Sequence, residues 1–273
     1  MKKLLAMTTI ATALFATRVS AATNLDEKYL TADNNSVVIE EIADADYKGG
    51  ELTASTETPK PPTDPQVTPP TNPVDDINGA VGMLDNIVNL MDKIFTLIAK
   101  NQPVVNINVN YANAVPFGLT HWTQLQGWSK PATKKYSFLI KNLYGMEVVK
   151  VIYQVRWTHS GSYQGKGKFL TGVTVEPLSV NTAWGYNVDL TAEVPDSTIA
   201  NVGSSADPVA SMQVQLKWKV HTIVQDMQEK AIYYVEGNGS MQPIGKAYER
   251  GLAQKNQKKM DAVKAQFENV RFN

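Results

Sequence analysis

Residues 212–220 read MQVQLKWKV, and this stretch decides the fold: Met212, Val214, Leu216, Trp218 and Val220 alternate with Gln213, Gln215, Lys217 and Lys219. A period of two puts every apolar side chain on one face of an extended chain, so the segment predicts a half-buried strand and not a helix. The same alternation recurs on both sides of it. Upstream, Val105, Ile107, Val109 and Tyr111 alternate with three asparagines, and Tyr136 to Tyr144 predicts a second strand. Val149, Val151, Tyr153, Val155 and Trp157 make a third, ending at His159-Ser160-Gly161. Lys168 to Glu176 stops at Pro177, and the set Val180, Trp184, Tyr186, Val188, Leu190 and Val194 stops at Pro195-Asp196. Downstream, Ala231 to Glu236 ends at Gly237-Asn238-Gly239.

Short strands at this spacing, with no helices between them, predict a mainly β chain. The expected architecture over 102–241 is an antiparallel β-sandwich, Ig-like or similar, of about seven to eight strands. Trp157, Trp184 and Trp218 fall on apolar faces and are read as core.

Before Pro103 the period changes. Within 74–101, Asp75 to Lys100 reads as an amphipathic helix, with Asp75 and Asp76 placed to cap its first turn. With Ile77 at heptad position a, Leu84, Met91 and Ile98 share that position and Ile87 and Ile94 fall at d. Val81, Val88 and Phe95 share e, and Leu90 and Leu97 share g. An apolar face wider than half the helix exceeds what one neighbour buries. Packing across the sandwich, a bundle of several copies and a membrane-seeking helix are the three arrangements that would cover it. Asp and Asn on the polar face, in place of Lys and Arg, count against the last.

The first 21 residues combine a basic Lys2-Lys3, an apolar run from Leu4 to Ala16 and small residues at Val19-Ser20-Ala21. That order predicts a secretory signal cut after Ala21, and so a place in the periplasm, at the cell surface or in the medium. Residues 22–57 are acidic and poor in apolar side chains, apart from Val37-Val38-Ile39, and predict a disordered segment. Residues 58–73, TPKPPTDPQVTPPTNP, predict a semi-stiff linker. In 242–273 a basic helix is expected, with Met260, Val263, Phe267 and Val270 on one side and Lys255, Lys258, Lys259 and Lys264 around them. Its charge is opposite to that of 22–57. Either the two ends meet, or the lysines form a solvated face.

The composition narrows the chemistry. Lys plus Arg and Asp plus Glu both number 26, and loss of Lys2, Lys3 and Arg18 with the signal leaves a slight acidic excess. Such a chain lacks the positive field that holds nucleic acid. It has no cysteine, hence no thiolate metal site or thiol nucleophile. His121, His159 and His221 stand apart from one another without metal-motif spacing, and no G-x-S-x-G elbow occurs. Residues 161–168, GSYQGKGK, join two strands and are read as a hairpin connection and not a phosphate loop. No catalytic residue, metal or cofactor is assigned. One polar–aromatic loop remains: His121, Trp122, Gln124, Gln126 and Trp128 could present ring faces and amides to a sugar, or the two tryptophans could plug one end of the sandwich.

These readings predict an exported, non-enzymatic structural, adhesive or assembly protein of the cell envelope, homo-oligomeric through the 74–101 helix. Another envelope or surface protein is a second expected partner. The order of helix then sandwich, with Asp85 and Asp92 on the polar face, is similar in outline to actinoporin-type toxins. That similarity, which rests on order alone, would imply a membrane-active pore former. A carbohydrate-binding module using Trp122 and Trp128 is the third expectation.

Overall fold

The structure, a computed structural model, describes residues 26–47, 87–89, 93–100, 108–109, 111–119 and 121–268. Fourteen strands among them form two antiparallel sheets of seven. The first sheet contains β1 (Val38–Ile42), β2 (Ile87–Asn89), β5 (Ala112–Pro116), β6 (Leu125–Gln126), β7 (Ala132–Lys141), β8 (Glu147–Tyr163) and β9 (Lys166–Thr182). Its order is β1-β7-β8-β9-β5-β2, with β6 on β8. The second contains β3 (Lys93–Lys100), β4 (Asn108–Val109), β10 (Asn187–Glu193), β11 (Ala200–Asn201), β12 (Ala210–His221), β13 (Asp226–Glu236) and β14 (Met241–Ile244). Its order is β14-β13-β12-β10-β3-β4, with β11 on β12. A single helical turn, α1 (Glu27–Leu30), and a long helix, α2 (Lys246–Glu268), lie outside the sheets.

The alternation read from the sequence is the alternation of burial. In β12 Met212, Val214, Leu216, Trp218 and Val220 are buried, and Lys217, Lys219 and His221 between and after them are exposed. Phe138 of β7 meets Trp218 with ring centroids 4.8 Å apart, which places the two sheets face to face. Beside this pair Tyr136 (β7), Tyr153 (β8), Tyr233 (β13) and Tyr248 (α2) form one aromatic cluster. The Tyr153 and Tyr233 hydroxyls bond to each other, and the Tyr136 hydroxyl donates to Met241 Sδ at 3.6 Å. Burial pushes the phenol pKa of all three residues well up, so they stay neutral.

Three expectations are corrected. The helix over 75–100 is not formed where that span is described: 87–89 is β2 and 93–100 is β3, in different sheets. Ile87 and Val88 therefore lie opposite Pro116 and Val115 of β5, while Phe95, Leu97 and Ile98 pair with Ala192, Leu190 and Asp189 of β10. Ile94 shares β3 with them. Ile77, Val81, Leu84, Leu90 and Met91 lie outside the described residues. A face apolar at a, d, e and g leaves little period to read, and Ile94-Phe95-Thr96-Leu97-Ile98 is equally a run rich in β-branched and aromatic residues that suits an interior strand.

Second, the acidic segment is ordered over 26–47. Val38 and Ile39 pair with Leu139 and Phe138 and make β1 an edge strand. Its carboxylates meet cations: Glu41 pairs with Lys134 at 3.3 Å and Asp44 with Lys135 at 2.6 Å. Third, Trp184 is not core. It stands in the connection between β9 and β10 and is 62 % exposed. The signal and the linker lie outside the described residues.

The basic C-terminal helix meets the acidic segment within one chain. Arg250 Nε donates to Val37 O at 2.6 Å and Lys255 Nζ to Glu41 O at 3.4 Å. Gly251 lies against Ile39 O between them. Alternate outward carbonyls of the edge strand are thus covered by α2, which blocks pairing with another chain. From Leu252 to Gln266 the helix is exposed.

A Cβ on Gly251 would sit 2.1 Å from the Ile39 oxygen. Although alanine favours a helix by about 1 kcal/mol, Gly251→Ala is expected to lower the melting temperature and to speed amide exchange across β1. Tyr153→Phe and Tyr233→Phe should each lose roughly 1–3 kcal/mol in urea unfolding, because each strands the other hydroxyl. The double variant should recover most of that loss.

Candidate functional site

Three turns at one end of the sandwich carry large apolar side chains where polar ones are the rule. In the β7–β8 turn Gly145 N donates to Asn142 O at 2.9 Å, which puts Leu143 and Tyr144 at the two central positions. In the β9–β10 turn Tyr186 N donates to Ala183 O at 3.1 Å, around Trp184 and Gly185. In the β12–β13 turn Thr222 N donates to Gln225 O at 2.9 Å, around Ile223 and Val224. Central turn positions project furthest into water and favour Gly, Asn, Asp, Pro and Ser. Here Leu143, Tyr144, Trp184, Ile223 and Val224, with Met146 beside them, are between 45 % and 72 % exposed.

The pairing register brings these turns together. Val149 pairs with Thr182, and Ala183 N donates to Val148 O at 2.8 Å, so the first two turns are neighbours. Asn187 pairs with His221, which sets the second beside the third. Residues 26–36 cross the same end as a strap. Tyr29 O accepts from Asn142 Nδ2 at 3.2 Å and from the Tyr186 hydroxyl at 2.5 Å. Thr31 O accepts from Leu143 N at 3.1 Å, and Ala32 N donates to Gln225 Oε1 at 2.7 Å. Leu30, fully buried, packs on Gly185, whose φ of +83° any Cβ would strain. Burial, and then Tyr29, pushes the Tyr186 phenol up to about 12, so it remains a donor.

The apices are held by buried polar anchors. Asn142 Oδ1 accepts from Tyr144 N and Met146 N, each at 3.0 Å. Thr222 Oγ1 accepts from Val224 N at 3.3 Å and Gln225 N at 3.0 Å. The Tyr144 hydroxyl donates to Asp26, and this bond holds the Asp26 carboxyl below its usual range. Behind the third turn His221 bonds Asp226; that bond, with Lys219 nearby, lowers the Asp226 carboxyl.

The opposite end turns through Gln164-Gly165 between β8 and β9 and Gly237-Asn238-Gly239 between β13 and β14, with Phe117 and Val202 also exposed there. The polar–aromatic loop lies there, since Leu125 and Gln126 pair with Tyr163 and Ser162 near the end of β8. His121 caps a short 3₁₀ turn over Trp122–Gln124: its Nδ1 accepts from Thr123 N at 3.3 Å, while Gln124 Oε1 accepts from His121 N at 3.0 Å. Trp122 and Trp128 are both packed against the core, and a Cβ on Gly161 would lie 2.3 Å from the Trp128 ring. Both rings pack on this end and remain partly exposed, and His121 and Gln126 are exposed. His159 lies nearby in a bulge of β8, its Nδ1 2.8 Å from Ser160 Oγ, and burial lowers its pKa.

No group of three or more His, Asp or Glu among the described residues is placed to hold a metal. The apolar end escaped the sequence reading, which sought polar chemistry. Its signal was the set of apolar pairs between strands: Leu143-Tyr144, Trp184 before Gly185, and Ile223-Val224.

Comparison with known proteins gives no match: no protein-family model fits the chain, and neither a curated protein nor a solved structure resembles it.

Anchors and apices should separate in unfolding experiments. Asn142→Ala removes the acceptor of two part-buried N–H groups and is expected to lose about 1 kcal/mol. Trp184→Ser and Ile223→Ser should each stay within about 0.5 kcal/mol of the parent.

Proposed function

We propose that this chain is an exported, non-enzymatic attachment protein of the cell envelope that holds its partner through the apolar end of the sandwich. The observation that carries the reading is the set of apolar side chains at the centres of three adjacent turns. Of the apex side chains only that of Tyr144, whose hydroxyl bonds Asp26, has a bonding role among the described residues; Leu143, Trp184, Ile223 and Val224 have none, and exposed apolar surface of this kind marks interaction sites. The strap fixes the turns from behind, so the surface is presented in one arrangement and binding orders little further chain. Export is supported by the basic, apolar and small-residue sequence of the first 21 residues. Homo-oligomerisation through a 74–101 helix is no longer part of the reading, because the described parts of that span, 87–89 and 93–100, are strands.

The test follows the full-length chain in cells. The parent and the triple variant Leu143→Ser/Trp184→Ser/Ile223→Ser are expressed with their own N-terminus and fractionated. The parent is expected to sediment with envelope material, and the variant, equally folded by circular dichroism, to move to the soluble fraction. Equal partitioning of the two would defeat the attachment reading.

A further inference from the structure

Resting on that reading, we propose that the partner of the apolar end is a lipid surface, into which the three turn apices dip side by side. The argument begins with backbone hydrogen bonds. Acyl chains offer neither donors nor acceptors, so chain that enters them must satisfy its own amides, whereas a protein partner brings such groups with it. In the β7–β8 turn every N–H from 142 to 146 finds its acceptor within the chain. Asn142 N donates to Met146 O at 3.0 Å, Leu143 N to Thr31 O at 3.1 Å and Gly145 N to Asn142 O at 2.9 Å. Tyr144 N and Met146 N both donate to the buried Asn142 side chain. In the β12–β13 turn the Thr222 hydroxyl serves Val224 N and Gln225 N in the same way.

Shape and side-chain type agree with this. The apolar groups stand on three projecting turns at the tip of a sandwich, which suits a soft surface that closes around them. Trp184 and Tyr144 combine an apolar ring with a polar edge, the side chains favoured where headgroups meet acyl chains. Ile223, the most exposed of the set at 72 %, would reach deepest. Charges behind the apices are of both signs, including Asp26, Lys28, Glu147 and Asp226, so attraction does not depend on anionic lipid. No helix among the described residues is long and apolar enough to cross a membrane. Attachment by dipping loops needs none, and an insertion of about 5–10 Å is the depth of interfacial anchors.

The rival surface is the exposed half of α2, where Leu252, Met260 and Val263 stand among lysines. An anchor there would favour anionic vesicles and weaken with salt.

The experiment uses protein secreted by cells that express the whole chain, and phosphatidylcholine vesicles with and without phosphatidylglycerol, at low and high salt. The parent is expected to co-sediment with pure phosphatidylcholine regardless of salt, with a blue shift of tryptophan emission. Trp184→Ser and Ile223→Ser should each weaken partitioning by at least about tenfold, while Val263→Ser leaves it unchanged. Binding that requires phosphatidylglycerol and is lost in Val263→Ser would overturn the proposal in favour of α2. Failure of the parent to bind any vesicle, with light scattering showing a dimer that Ile223→Ser dissociates, would overturn it in favour of a second copy. The attachment reading would survive that last result, and it fails separately in the fractionation of the triple variant.

Discussion

The contact between the two inner sheet faces governs the rest of the molecule. Its centre is aromatic: Phe138 on Trp218, and Tyr136 and Tyr153 against Tyr233. A tyrosine in that position brings a hydroxyl into a space without water, and a lone buried hydroxyl is costly. The chain resolves this by placing one tyrosine on each sheet so that their hydroxyls meet, and by giving the third a methionine sulfur. The indole N–H groups of Trp157 and Trp218 have no such partner among the described residues. Each such loss costs about 1–3 kcal/mol, against ring burial that brings a comparable or larger gain. Packing decides at those two positions, and hydrogen bonding decides at the tyrosines.

An open sandwich has edges, and the two ends of the chain deal with one of them together. β1 extends the first sheet beyond β7, which would move the exposed edge outward without removing it. The following covering by α2 is what closes it, with Arg250 and Lys255 on alternate carbonyls and Gly251 allowing the close approach. Charge assists: Glu40 lies 3.9 Å from Lys258, and Arg250 also reaches Glu229 at 3.2 Å. Such exposed pairs add little stability singly. Their use here is to set which face of the helix meets the strand.

How far the sequence could be read follows from how strongly each residue pattern excludes alternatives. Strict alternation in 212–220 admits only a strand, and β12 is one. The hairpin at 161–168 was legible because Gln164-Gly165 can turn and a phosphate loop needs a following helix. The 75–100 span admitted two readings, since apolar residues at four heptad positions out of seven are nearly continuous. The acidic segment misled by averaging: Leu30, Val38 and Ile39 do the structural work, while their many charged neighbours dominate the composition. Trp184 misled in the opposite sense. Trp184 is in phase with Tyr186, Val188 and Leu190, and alternation alone reads it as core, although Gly185 after it marks a turn.

That error locates what is unusual in this molecule. An apolar residue at a turn apex gains nothing from the fold, because no neighbouring side chain covers it and the backbone there would accept a smaller, polar residue. One such residue is unremarkable, since folded surfaces are rich in apolar atoms. Three adjacent turns are different, because the far end of the same sandwich carries Gln164-Gly165 and Gly237-Asn238-Gly239 at the equivalent places. The strap sharpens the contrast: Tyr29, Thr31 and Ala32 commit main-chain groups to holding these three turns in register. Rigid support behind a surface that the fold itself does not bury lowers the entropy lost when something else buries it. Order in the strap and exposure at the apices are therefore two parts of one arrangement.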